Sequence, residues 1–235
     1  MDELDRPIWH ALAGRQREFA QGTGPALRFE PEVSPFAACR DNGPQALAAL
    51  AALVPATGML ALLQADATPL PPGCEPVLVA QGVQMVLGEL RPVPLEHAAV
   101  DLGPDDVQDM VALAELTKPG PFLPGTPRLG RFVGIRVDGR LAAMAGERLK
   151  PGTFTEVSAV CTHPDFRGQG LAAQLSSLVA GRILARGERP FIHAFADNHR
   201  AIGLYGRLGF AHRCAMNVLA IVPHGSDASA LPHVH

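Results

Sequence analysis

The 235-residue chain has little of what marks the specialised classes of protein. No apolar run approaches the ~20 residues that cross a bilayer as a helix, so no membrane span is expected. The opening stretch MDELDRPIW is acidic where a secretory leader would be basic, which points to the cytoplasm. The twenty Lys and Arg residues form no block and the net charge is -3, which argues against a surface dedicated to nucleic acid or anionic lipid. Cysteine is scarce. Cys39, Cys74, Cys161 and Cys214 stand far apart, with no C-x-x-C pair and no histidines at zinc spacing, so no metal site is expected. Cys161 lies on a strand with no identifiable activating base, which leaves it without a nucleophilic role. The closing residues 223–235, with His224, His233 and His235, read as a loose tail that would bind metal only adventitiously. Neither G-x-G-x-x-G nor G-x-x-x-x-G-K-S/T occurs, so both common nucleotide loops are missing. What remains, 47% hydrophobic and 18% charged, can bury a sizeable core in one large domain or two small ones.

The stretch from Val157 to Phe210 carries most of the chemistry. A β-type run with Val157, Ala159 and Val160 breaks at His163-Pro164, where a histidine before proline shapes the turn. Arg167-Gly168-Gln169-Gly170-Leu171-Ala172 follows, and then a helix whose apolar positions Leu171, Leu175, Leu178, Val179 and Ile183 recur at three and four. The first N–H groups of such a helix are unpaired and its dipole is positive there, so the turn is built to receive a phosphate or pyrophosphate. Glycines at 168 and 170 permit positive φ and close approach, and Arg167 adds a fixed positive charge. Phe191 to Phe195 then reads as a buried strand, Asn198 to Leu208 as a helix with an asparagine cap, and Ala215 to Val222 as a last strand. Asn198 and Tyr205 are seven apart, about two helical turns, and share one face.

These residues carry a resemblance. Arg167-x-x-Gly170-x-Ala172 resembles the acetyl-CoA loop of the GNAT superfamily of N-acetyltransferases, and Asn198-x-x-Ala201-x-x-Leu204-Tyr205 with Leu208-Gly209-Phe210 resembles its second cofactor-contacting motif. The wording is closest to the FR47-like branch, which includes the C-terminal part of glycine N-acyltransferases, and covers roughly residues 130 to 222. The resemblance implies acetyl-CoA as co-substrate. It places Val160 and Thr162 on the strand that binds the pantetheine arm, and Arg167, Gly168, Gln169, Gly170, Leu171 and Ala172 around the pyrophosphate. It puts Asn198 on the cofactor arm, and Tyr205, the only tyrosine in the chain, as the proton donor to the departing thiolate. Aminolysis of a thioester needs these parts: a neutral amine, a polarised carbonyl and an acid for sulfur. A phenol near pKa ~10 keeps its proton where a thiol near ~8.5 begins to lose one. Glu156, at the head of the cofactor strand, is the expected base, with Glu147 on the preceding strand as its competitor.

The rest of the chain divides near Arg91-Pro92-Val93-Pro94, where prolines interrupt periodicity. Residues 1–95 read as an α+β half, which the resemblance allows to be a partial or decayed acetyltransferase-like subdomain. They hold helices over Trp9 to Ala20 and Pro44 to Leu53, strands over Gly58 to Gln64 and Pro76 to Ala80, and an amphipathic piece from Val83 to Leu90. Residues 96–222 read as the acetyltransferase domain. It opens with a helix from Asp101 to Leu116 and a loop from Thr117 to Gly130, whose Phe122, Leu123 and Arg128 are candidates for the acceptor side. Arg131 to Val137 and Arg140 to Leu149 form a hairpin about Asp138-Gly139, and Glu156 to Thr162 is the next strand. The fold class expected is α/β (α+β), a mixed and partly splayed sheet flanked by helices. The activity expected is transfer of an acetyl group from acetyl-CoA to a small-molecule amine, with no nucleic-acid or membrane partner and a homodimer compatible with the sequence. The alternatives are transfer of a longer or aromatic acyl group, and a non-catalytic acyl-CoA sensor.

Overall fold

Local pattern sets most elements of the computed structural model, which describes residues 2–226. In chain order it has α1 (Pro7–Ala13), β1 (Ala20–Gln21), β2 (Ala26–Phe29), β3 (Ala37–Cys39), α2 (Pro44–Ala51), β4 (Leu60–Gln64), β5 (Cys74–Leu87) and β6 (Ala99–Leu102). Then come α3 (Val107–Thr117), β7 (Phe132–Val137), β8 (Arg140–Glu147), β9 (Phe154–Thr162), α4 (Leu171–Ala185), β10 (Arg189–Phe195), α5 (His199–Leu208) and β11 (Phe210–Pro223). Proline at the first position of α1 and α2 fits the missing N–H to a place where none is needed. The β7–β8 turn takes φ 49° at Asp138 and 79° at Gly139, the left-handed pair that a tight hairpin between twisted strands requires. Asn198 caps α5 as its side chain predicts, accepting a hydrogen bond from the Ala201 amide.

Eight strands form one sheet in the order β4-β11-β5-β10-β9-β8-β7-β6, and β1-β2-β3 form a small second sheet. Every neighbouring pair in the large sheet is antiparallel except β9 with β10. One face is covered by α4 and α5, whose Leu171, Leu175, Val179, Ile183 and Leu208 pack with Val133, Ile135 and Ile192. The other face packs with Ile8 and Leu12 of α1 and with Phe29 of β2. Among the described residues no helix is long and apolar enough to cross a membrane.

The division expected at residue 95 falls between two strands of the large sheet. β5 lies between β10 and β11, pairing with β10 from Gly82 to Val86 and with β11 along its whole length. Val83 to Leu90 is therefore no separate amphipathic piece, because its first residues prolong the strand. The proline-rich stretch near 91–94 connects β5 and β6 of one sheet. The expected helix from Trp9 to Ala20 is shorter, ending at Ala13 and giving way to a 3₁₀ turn over Arg17–Phe19.

A fragment comprising residues 96–235 is thus expected to give no cooperative thermal transition, since β10 and β11 would each expose an unpaired apolar edge. Circular dichroism melting of that fragment beside the full chain checks this, and a sharp transition in the fragment would restore the two-unit description.

Candidate active site at the parting of two strands

β9 and β10 share parallel pairing only where Phe154–Glu156 face Arg189–Phe191. Beyond it β9 stays with β8 and β10 stays with β5, so the two strands part. Backbone groups that lose a strand partner at the centre of a sheet need another partner. The gap holds a cavity of about 190 Å³. Residues 157–160 of β9 form one wall and residues 192–195 of β10 the other. A bulge shapes the first wall: between the pairs Met144/Cys161 and Gly146/Ser158, the single residue Ala145 stands opposite both Ala159 and Val160. Ala159 takes φ 52° there, a left-handed conformation that costs a residue with a Cβ roughly 1–2 kcal/mol.

Asn198 and Tyr205 both line this cavity, as their seven-residue spacing predicts. The Asn198 Oδ1 accepts the Ala201 amide at 3.1 Å, so the Nδ2 end of the side chain is the one that can donate to a ligand. Tyr205 is 7% exposed. Burial, reinforced by the nearby Cys161 and Glu156, pushes its phenol above the ordinary value, so the hydroxyl keeps its proton. Cys161 is itself pushed up to about 11 by burial, which leaves it a thiol and without nucleophilic character.

β9 runs on into the glycine loop. His163 caps the short turn Pro164–Phe166 by accepting the Asp165 amide on Nδ1 at 3.2 Å, the turn-shaping part expected of it. Arg167, Gly168, Gln169 and Gly170 are exposed, and Gly168 and Gly170 adopt φ 85° and 73°. Gly170 is the N-cap residue of the fifteen-residue α4. Leu171 is buried in the core and Ala172 half-buried, so these two anchor the helix start. Val160 lines the cavity, whereas Thr162 pairs with Ala143 of β8 and its hydroxyl is buried with no hydrogen-bond partner. A parted strand pair, a helix start with two left-handed glycines and a free asparagine amide together fit an extended thioester whose tail ends in a pyrophosphate. Among the described residues no cluster of His, Cys, Asp and Glu is placed to hold a metal ion. His233 and His235 lie outside the described residues.

The base expected from sequence, Glu156, has surroundings that argue against proton transfer. Glu156 is fully buried and does not line the cavity. Its carboxylate takes two hydrogen bonds from Arg148, 2.9 Å from Nε and 2.8 Å from Nη2, and one from the His193 Nδ1 at 2.7 Å. Burial alone would raise its pKa, but the Arg148 guanidinium and then His193 outweigh it and hold the carboxyl at about 2. A carboxylate so tied is a poor proton acceptor. Glu147, the competitor, is bound to Arg186 and Lys150 and also stays out of the cavity. Of the three loop candidates, Phe122 packs edge-on to Phe132 and borders a crevice beside the cavity. Arg128 is held away by Glu30, Glu32 and the Phe19 ring, and Leu123 does not reach the wall.

Arg148 and His193 do line the cavity, and the sequence reading passed over both. The available signal was a histidine inside the apolar run Phe191-Ile192-His193-Ala194-Phe195. The Gln84 Nε2 lies 3.0 Å from the His193 Nε2 and also donates to the Leu4 carbonyl, while the Gln84 Oε1 accepts from Arg213. That network makes Nε2 of His193 an acceptor and Nδ1 the N–H donor to Glu156.

A cleft between parted strands, with a phenol and a helix-capping asparagine along it, fits an acyltransferase. The family model described as FR47-like protein matches residues 132–218. A GNAT-family chain from Novosphingobium aromaticivorans is 42% identical, covering 95% of this chain and 99% of that one with a TM-score of 0.88. A GCN5-related N-acetyltransferase from Kribbella flavida shares the fold at 19% identity, with coverage of 97% and 98% and a TM-score of 0.67. The chain belongs to the GNAT family of acetyltransferases, a family that uses acetyl-CoA as co-substrate.

The buried Arg148–Glu156 pair sets a pH dependence of stability. A carboxyl depressed on folding stabilises fully above its ordinary value of 4.5 and loses that contribution as pH falls toward about 2. Glu156→Gln strands the Arg148 charge and is expected to cost about 3 kcal/mol at pH 7. The deficit should shrink between pH 5 and pH 2.5. Urea unfolding across that range reads it out, and a deficit independent of pH would show that Glu156 is not charged in the folded state.

Proposed function

We propose that the protein transfers the acetyl group of acetyl-CoA to a primary amine by direct attack within a ternary complex. The observation that supports this most is that Asn198, Tyr205 and the bulged segment 157–160 face one cavity, while β9 leads straight into the glycine loop and α4. The amine nitrogen bonds to the thioester carbonyl carbon, the C–S bond breaks, and the sulfur leaves as a thiolate. Tyr205 then stabilises the sulfur. With its phenol above the ordinary value, it works first as a hydrogen-bond donor to the developing charge, and the proton it passes to the thiolate on release is replaced from solvent. The acceptor's proton goes to solvent, because Glu156 is tied to Arg148 and the His193 Nε2 is already bonded to Gln84. Glu156 is a positioning residue that fixes Arg148 and the tautomer of His193. Phe36, Ala61, Leu63 and Leu78 close the cavity from the N-terminal side, which supports a small-molecule acceptor over a protein tail.

Tyr205→Phe is expected to lower kcat by about 10²-fold or more, as loss of an acid in the transition state does, while acetyl-CoA affinity stays within about threefold. Initial rates and calorimetric titration separate the two. A non-catalytic sensor would bind acetyl-CoA with no turnover to lose, and an unchanged kcat would remove Tyr205 from the chemistry.

Proton release to solvent also fixes the pH profile. The rising limb of kcat/KM should level off at the amine pKa of whichever acceptor is used, moving with it across a series of amines. An inflection that stays in place across that series would instead assign the proton to a group of the protein.

A further inference from the structure

The cavity wall away from α5 has a chemical character of its own. Phe36, Leu63, Leu78 and Val218 make it apolar. Two cations, Arg148 and Lys118, stand on its border, and among the described residues no Asp or Glu lines it. Arg148 is held from two directions. Its Nε and Nη2 are both spent on Glu156, and its guanidinium lies over the Phe36 ring at 4.8 Å. The side chain is only 12% exposed, so the fork is fixed in place before any ligand arrives. Its third nitrogen, Nη1, takes part in none of these bonds. Lys118 caps the C-terminus of α3 in the left-handed conformation, an exposed residue at the cavity border.

A doubly charged amine such as a polyamine would bring a second ammonium group to a wall that offers cations and hydrocarbon. An amine that also carries a carboxylate meets the opposite situation. Its carboxylate can accept from Nη1 of a pre-positioned guanidinium, with Lys118 adding to the attraction, and its side chain can enter the apolar wall. We propose that the acceptor is a small amino acid-like amine, with a free carboxylate bound by Arg148 and an apolar side chain against Phe36, Leu63, Leu78 and Val218. Arg148 is then the residue that sets acceptor specificity, and Glu156 matters by holding its fork.

The inference rests on the acetyl-transfer reading above, and the test separates the two. The full chain is first titrated with acetyl-CoA by calorimetry. Initial rates are then measured at saturating acetyl-CoA with alanine, leucine and phenylalanine, with the amide of each, with the matching decarboxylated amines, and with spermidine. The expected result is a kcat/KM for leucine or phenylalanine at least about tenfold above its amide and its decarboxylated amine, because a site built to bond a group rejects the analogue lacking it. Arg148→Lys keeps the charge and loses the fork, so it should raise KM for the amino acid about tenfold while changing the decarboxylated amine far less. If that variant fails to fold, Lys118→Gln on the exposed border should still raise the amino acid KM selectively, by about threefold. Equal rates for acid and amide, preference for spermidine, or turnover of none of the amino acids would overturn the carboxylate assignment. Absence of acetyl-CoA binding would instead bring down the transfer reading itself.

Discussion

The parting of β9 from β10 is the constraint on which the site depends. Two parallel strands that separate inside a sheet leave main-chain groups without partners, and buried groups of that kind are costly. The chain meets the cost at the fork with charge. Glu156 sits at the last paired position of β9, opposite Phe191, and His193 lies two residues further along β10. Arg148, just beyond β8, closes the triangle. The cluster fills the point of divergence with polar groups bonded to one another and leaves the mouth of the gap open for an extended ligand. A buried ion pair is weak evidence of stability in itself, but here it keeps two strands apart at a defined place.

The two sides of the cavity are built in different ways. One side comes from consecutive pieces of chain: a strand, a glycine turn, a helix, a strand and a capped helix. The opposite side is assembled from residues far apart in sequence, Phe36, Leu63 and Leu78 from the first hundred residues and Val218 from the last strand. The glycine loop and the apolar wall therefore draw on separate parts of the chain. Changes in the N-terminal residues can alter the acceptor wall while the glycine loop and α5 stay as they are.

This division also explains what could be read in advance. Asp138-Gly139, the periodicity of α4, the Asn198 cap and the glycine loop are local, each fixed by a few neighbouring residues, and the structure places them as expected. The position of β5 between β10 and β11 is a matter of pairing over more than a hundred residues, and no local pattern encodes it. Glu156 was legible as a carboxylate on the cofactor strand, yet its character as a tied anion depends on Arg148 and His193, which only the folded chain brings to it. Arg128 looked like a substrate-side cation for the same reason: its partners Glu30 and Glu32 are about a hundred residues away. Val83 to Leu90 was read as a separate piece because its composition is amphipathic, although a long central strand shows the same pattern where one side is partly open.

The place of β5 in the sheet has a meaning in time as well as in space. Its last residue is Leu87, while β10 begins at Arg189, about 100 residues later. At ~5–20 residues per second, an emerging chain holds this apolar strand for roughly 5–20 s before either neighbour exists. The β-rich N-terminal segment must spend that interval without its partners, and β11, the last strand among the described residues, completes the centre of the sheet. The cleft therefore closes only once β11 has been made, and acyl transfer waits on that strand.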